Sequence, residues 1–327
     1  GRARSGGRSG GAPRPGRATL GRSAVWVPAL VLALGCVAPD RPTRLEGGLP
    51  ERTLLGGLAV AQERVAPGVK HFVVRSEEGP WTVHLLSADL RRCDLALDVL
   101  TAERGAPPRP GLRRVSDMAA REGARVLAAV NGDFFTPGGR PLGPEASGGR
   151  VRWPRSRPAL AWSPDGGVWV GRTRVVGDSV LWAGAPLPHR AGGLLTRVVG
   201  GDPLLLVGGR RADEGAVRER PRFAAGRHPR TAAGFDRETG RAWLVVVDGR
   251  QGRYSDGMTL PELTALLEAL GVDDAVNLDG GGSSVMVVRG RTVTHPSDPD
   301  GERPVVNALA VVRDASRCAA PVERLSP

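Results

Sequence analysis

Three short polar clusters in this 327-residue chain carry the residue types that hydrolytic chemistry uses, and each closes an apolar run. Asn131-Gly132-Asp133 follows Val126–Val130, Asp248-Gly249-Arg250 follows Ala242–Val247, and Asp279-Gly280-Gly281-Gly282-Ser283 follows Ala275–Leu278. Carboxylates at such positions can serve as general acid, general base or nucleophile. Alone, each Asp-Gly pair is a turn signal. Together, with more polarity than turns require, they point to one crevice at strand ends; if the three strands are parallel neighbours, all three clusters share a sheet edge. The three glycines bring backbone N–H groups close to a ligand and suit a nest for an anion. The run is not a P-loop, because no Lys follows and the next element reads as a strand. Arg230, in His228-Pro229-Arg230-Thr231, can hold a phosphate through its planar fork. His228 has the chemistry of a general acid, but a loop histidine beside proline is commonly just solvated. Glu262 is explained without catalysis, since it stands three residues after Thr259 in a capping box.

The elements that position these clusters are mostly strands. Val69 to Arg75, Trp81 to Leu86, Leu95 to Leu100, Val126 to Val130 and Leu204 to Val207 read as strands. So do Ala242 to Val247, Ala275 to Leu278, Val285 to Val288, Arg291 to Thr294 and Val305 to Val312. The unbroken run Ala242–Val247 suits a strand buried on both faces. Ser116 is expected to cap a helix through Arg121. A second helix starts after Thr259, carries Leu263, Leu266, Leu267 and Leu270 on one face and stops at Gly271. The expected fold class is α+β: a mixed, largely buried β-sheet with about two helices in a single catalytic domain, residues 69–314. A tail, 315–327, follows it. A basic extension and signal-type segment, 1–36, and a Pro/Gly-rich tether, 37–68, precede it.

Charge adds less than its size suggests. The chain carries 46 Lys and Arg against 34 Asp and Glu, but residues 1–44 hold eight Arg against one acid, Asp40. The rest of the excess is diffuse, no basic run interleaves with aromatics, and no nucleic-acid partner is expected. Lys70 is the only lysine, as codon bias in a GC-rich genome would produce. The basic stretch precedes an apolar run, Ala24–Leu34, that is too short to span a bilayer, which takes roughly 20 apolar residues. This is the pattern of an export signal. Cys36 at its end is a candidate for lipidation and a membrane anchor; plain cleavage near Ala38 is the alternative. Export would place Cys93 and Cys318 in an oxidising compartment, as one disulfide or as two buried thiols.

The same segments resemble the phosphodiester glycosidase family. The matching stretches are Val130-Asn131-Gly132-Asp133-Phe134-Phe135, Gly200 to Leu206, Pro229 to Gly234, Val247-Asp248-Gly249-Arg250 and Tyr254 to Leu263. Asn277-Leu278-Asp279-Gly280-Gly281-Gly282-Ser283-Ser284, His295-Pro296-Ser297-Asp298 and Val305 to Ala308 follow in the family's order. The likeness covers about Val69 to Val312, and Asp133 stands where the family often has Gly. It implies hydrolysis of a sugar-1-phosphodiester on an envelope or extracellular glycan. Asp279 would be the leading catalytic carboxylate, base or nucleophile, and Asp248 the second carboxylate or an acceptor for a sugar hydroxyl. Arg230, Thr231, the backbone of Gly280, Gly281 and Gly282, and Ser283 would hold the phosphate. Asn131, Asn277 and Ser255 complete the expected substrate contacts. No cofactor is expected. One rival reading is a phosphodiesterase cutting P–O, with Asp133, Asp248 and Asp279 as ligands of a divalent cation. Another is a glycan-binding module without turnover.

Overall fold

The computed structural model describes residues 58–318, apart from 78, 106, 149, 164–165, 177–178 and 184–196. Cys36 and the signal-type segment lie outside the described residues.

Arg241–Val247 shows why a central strand reads as an unbroken apolar run. Leu244 and Val246 enter one core, and Trp243, Val245 and Val247 enter another on the opposite face. The strand sits inside an eight-stranded sheet ordered Leu58–Ala66, Val69–Ser76, Trp81–Asp89, Arg241–Val247, Arg230–Asp236, Asp274–Asn277, Leu204–Val207 and Arg210–Arg211. One face packs under the helix Leu260–Ala269, which buries Leu263, Leu266 and Leu267. At roughly 1.5–3 kcal/mol per buried leucine side chain, this stripe is the helix's main hold on the sheet. The capping box of Thr259 and Glu262 is formed in full. The opposite face shares its core with a five-stranded sheet ordered Arg291–Thr292, Met286–Val288, Val126–Asn131, Asn307–Arg313 and Leu95–Thr101. A six-stranded sheet includes Glu145–Ser147, Pro158–Trp162, Val168–Val176 and Arg197–Gly200. The fold is α+β and mostly sheet, with four α-helices among the described residues, two of them only five and six residues long.

Two expectations are corrected. The strands pair antiparallel throughout, and Val126–Asn131 belongs to a different sheet from Arg241–Val247 and Asp274–Asn277. The latter two do point the same way, but only because Arg230–Asp236 runs between them in the reverse direction. Ser116 does not cap its helix. The helix is Val115–Glu122, its first turn includes the buried Val115, and the Ser116 N–H is satisfied from far along the chain by Glu302, at 2.9 Å. Cys93 and Cys318 form a disulfide that closes a loop of 225 residues and ties the end of the described chain to the segment before Leu95–Thr101.

Candidate active site

The reversal that puts Arg230–Asp236 between its two neighbours gathers one edge of the large sheet. The end of Arg241–Val247 delivers Asp248, the start of the middle strand delivers Arg230, and the end of Asp274–Asn277 delivers Asp279. The five-stranded sheet meets this edge through Asn131. Its amide donates to the Asp279 carbonyl at 2.7 Å, while its Oδ1 accepts from the Thr231 hydroxyl at 2.7 Å and from the Val285 N–H at 3.2 Å. The Asp279 N–H in turn donates to the Gly132 carbonyl at 2.9 Å. Asp279 is thereby fixed from both sheets before its side chain makes any contact.

The three aspartates then differ. Asp279 and the two glycines after it are half-buried, whereas Asp133 and Asp248 are buried. Its Oδ1 accepts the Gly280 N–H at 2.9 Å. Burial pushes the Asp279 carboxyl above the ordinary carboxylate range, opposed by Ser283, the Gly280 N–H and the charges of Arg303 and Arg157. Gly281 takes φ 61°, and a side chain there would run into the Arg250 guanidinium, with Nη2 3.0 Å from an added Cβ. Glycine is favoured here by the backbone, and a side chain would displace the Arg250 guanidinium. Gly282 is equally hemmed by Asp298, which is paired to Arg303 at 2.7 Å.

Asp133 is buried in a cradle where Gly143 and Gly200 leave no space for side chains of their own. Its Oδ2 accepts the Gly143 N–H and its Oδ1 has no partner. Burial lifts this carboxyl to about 7, only partly offset by the Gly143 N–H and the charge of Arg157. Asn307 holds the backbone of this turn by accepting the Asp133 N–H at 2.9 Å.

Asp248 is also buried, but as a hub. Its Oδ1 accepts the His295 backbone N–H at 3.1 Å and its Oδ2 accepts the Tyr254 hydroxyl at 2.9 Å. His84 Nε2 lies 3.3 Å and His295 Nδ1 3.6 Å from that same Oδ2. Behind His84 stands His71, its Nε2 3.2 Å from His84 Nδ1, and burial together with His84 lowers His71 to about 4. Burial and the Asp248 charge push Tyr254 up to about 12, so the phenol keeps its proton.

The sequence places several other residues at the site whose polar atoms turn inward. Asn131, Thr231, Asn277 and Ser255 are all buried. Asn277 donates to the carbonyls of Asp202 and Leu278, and Ser255 joins the Asp248 carbonyl to the Thr82 N–H. The nest expected of the glycines is partly spent, since the Gly280 N–H serves Asp279 and the Gly281 N–H donates to the Pro229 carbonyl at 2.9 Å. The alternative cation site is corrected. Asp133 faces its glycine cradle and Asp248 its hub. Among the described residues no group of three His, Cys, Asp or Glu stands together to ligate a metal.

Arg230 is the largest departure from expectation. Its guanidinium is buried, donating through Nε to the Met258 carbonyl at 2.9 Å and through Nη2 to the carbonyls of Phe223 and Gly226. Burial and the nearby charge of Arg250 lower it to about 10. No carboxylate pairs with Arg230 or Arg250 among the described residues. His228, beside them, is lowered by burial and then by Arg230, which disfavours the protonated form that a general acid needs. Arg250 itself is exposed, holds a left-handed backbone at φ 60° and leans over Gly281. Sequence reasoning gave Arg250 no role. Its signal was its place directly after Asp248-Gly249. Tyr254, the hub's phenol, is the only tyrosine in the chain.

Comparison with known proteins bears on this edge directly, because a profile of the phosphodiester glycosidase family matches residues 124–312. The chain belongs to the phosphodiester glycosidase family. The matched span holds every residue of the site built above except His71, His84 and Thr82. Mouse N-acetylglucosamine-1-phosphodiester alpha-N-acetylglucosaminidase is 42% identical over 69 residues, 21% of this chain and 13% of that protein. A prophage-derived uncharacterized protein of Bacillus subtilis is 40% identical over 85 residues, 26% of this chain and 13% of its own length. The chain thus aligns with only a small part of these curated relatives. In fold it is similar to the catalytic domain of the zebrafish N-acetylglucosamine-1-phosphodiester alpha-N-acetylglucosaminidase auto-inhibited by its pro-peptide. That likeness has a TM-score of 0.61 at 21% identity, over 79% of this chain and 88% of that one. A hypothetical protein from Synechocystis gives the same TM-score at 20% identity, over 76% of this chain and 63% of that one.

Proposed function

We propose that this member of the family hydrolyses a sugar-1-phosphodiester at the glycosidic C–O bond, releasing free sugar and a phosphomonoester. The observation that carries the reading is the pairing at the sheet edge of Asp279, the one half-buried member of the three aspartates, with an unpaired cationic group, Arg250 backed by Arg230. A phosphodiester needs both. A carboxylate must meet the positive charge that develops on the sugar, and cations must hold the phosphate that departs. A phosphate ester leaves without a strong acid, which suits a site where burial and Arg230 disfavour a protonated His228.

In this reading Asp279 faces the anomeric carbon. Arg250, with Ser283 and the turn Gly280–Gly282, holds the phosphate, while Arg230 stiffens that wall through its three carbonyls. Asn131 and Thr231 pin the two sheets together under Asp279, while Ser255 and Asn277 tie the turns beside it. Asp248 orients neighbouring rings instead of meeting substrate. We further propose export to the envelope or beyond, and attachment at Cys36, supported by the basic-then-apolar leader pattern and by the Cys93–Cys318 disulfide, which suits an oxidising compartment.

The decisive experiment is turnover of a panel of sugar-1-phosphodiesters in ¹⁸O-water. Label in the sugar supports C–O cleavage. Label in the phosphate would replace this reading with a phosphodiesterase, and saturable binding without turnover would replace it with a glycan-binding module.

A further inference from the structure

The Asp248 carboxylate meets three rings, Tyr254, His295 and His84, and the bonding pattern around the first two dictates where their protons lie. The Tyr254 phenol has one proton and gives it to Asp248 Oδ2 at 2.9 Å, the charged acceptor being the stronger one. The same phenolic oxygen lies 3.0 Å from His295 Nδ1. With its proton already spent, that oxygen can only accept here, so Nδ1 must carry a hydrogen. Nδ1 also points toward Asp248, 3.6 Å from Oδ2, which favours a proton at that position. An imidazole with N–H at Nδ1 has its lone pair at Nε2. The His295 side chain is 63% exposed, so with Nδ1 turned inward Nε2 faces solvent. The ring is held in place from three sides. Its backbone N–H is tied to Asp248, its carbonyl accepts the Gln251 amide at 2.7 Å, and it packs against the Tyr254 ring with centroids 4.7 Å apart.

The loop that carries His295 belongs to the site. Three residues on, Asp298 packs with Arg303 against Gly282, in the turn that follows Asp279. The charged and titratable groups around the ring are Asp248 and Tyr254, with Arg75 over the far face of Tyr254 at 5.4 Å and His84 behind Asp248. An oriented base, an orienting carboxylate and a phenol between them form the arrangement by which a protein presents one nitrogen of a histidine to a reacting group.

We propose that His295 is a catalytic acid–base residue of this site, its Nε2 taking the proton of the attacking water, with Tyr254 and Asp248 as its positioning residues. The proposal rests on the phosphodiester glycosidase reading above and adds the group that reading lacks. As the water oxygen bonds to the anomeric carbon, its proton passes to Nε2. The bond from that carbon to the departing oxygen breaks, and the electron pair leaves with that oxygen. The proton on Nε2 is then lost to solvent, to which the ring is open.

Two measurements test it in the full chain. The first is His295→Asn, whose side-chain amide can still donate to Tyr254 but lacks Nε2. The kcat for a sugar-1-phosphodiester should fall roughly 10²- to 10⁴-fold with KM nearly unchanged, and added imidazole should restore part of it. An unchanged kcat overturns the proposal. The second is the ¹⁵N spectrum of histidine-labelled protein, with His295 assigned by its loss in that variant. The neutral ring should be the Nδ1–H tautomer. A dominant Nε2–H tautomer overturns the proposal whatever the substrate proves to be. A wild-type chain that turns over no phosphodiester counts against the reading of the function, and the tautomer still decides the role assigned to His295.

Discussion

Asp279 and Asp133 are both polar tips of buried strands, both beside glycines, and their backbones are joined one residue away through the Gly132 carbonyl; burial raises both carboxyls, yet their surroundings differ. Asp279 stands on a turn whose glycines let Arg250 and Arg303 approach, and it is half-buried. Asp133 is sealed among Gly143 and Gly200 with one oxygen unpartnered. The same residue type at the same kind of strand end is thus half-buried beside two arginines in one place and sealed in the other. What differs is whether the surrounding glycines make room for a ligand or for the aspartate itself.

The sharpest way to break that contrast is to neutralise the open member. Asp279→Asn keeps the shape, and because burial raises this carboxyl too, the variant should melt no earlier than wild type at neutral pH, while turnover of a phosphodiester should fall on the order of 10³-fold or more. A folded Asp279→Asn protein with near-normal turnover would remove Asp279 from the chemistry.

Neutralising the closed member should act mainly on stability. Folding lifts the Asp133 carboxyl from the ordinary value of 3.8 to about 7. The contribution of the protonated form is whole below the unfolded value, fades as pH rises from about 4 to 7, and stays lost above 7. Asp133→Asn removes that dependence and should gain up to about 4 kcal/mol over wild type at pH 8, with little gain at pH 4. Denaturant melts of the two proteins across this range give the answer; parallel stability curves would mean that the native site already compensates an ionised Asp133.

Asn131 connects the two environments. Asn131→Ala strands the Thr231 hydroxyl, the Asp279 carbonyl and the Val285 N–H, and should cost about 3 kcal/mol. Urea unfolding measures this, and a loss under about 1 kcal/mol would show that the sheets are joined mainly by their apolar core. Arg250→Ala, the mildest change, should weaken binding of phosphodiesters by about 2 kcal/mol, a common value for a bond to a charged group, and leave free sugar unaffected. Lys should restore only part, lacking the planar fork. Calorimetry with both ligands would expose a general role for Arg250 if the two losses were equal.

These contrasts bound what could be read in advance. The chain alone determined the strands around Leu244, Val130 and Val276, because apolar runs of that length bury themselves wherever they fall. It determined the helix after Thr259, because the capping box and the leucine stripe are local. It also marked Asp279 and its glycine run as a candidate site, since no turn needs three glycines between two apolar strands. Tertiary structure alone decided which polar residues are bonded inside the protein and which are left exposed at the sheet edge. Asn131, Thr231, Asn277 and Ser255 have the chemistry of binding residues, but most of their polar atoms are claimed by other groups of the protein, across the two sheets for Asn131 and Thr231 and between neighbouring turns for Ser255 and Asn277. Arg230 is claimed in the same way by three carbonyls, while Arg250 is left free. Tyr254, His295 and Asp248 form one hub although up to 47 residues separate them. Hydrogen bonds over such separations depend on how strands are ordered in space, and that order is set by the global packing of the sheets, which no local run of residues encodes.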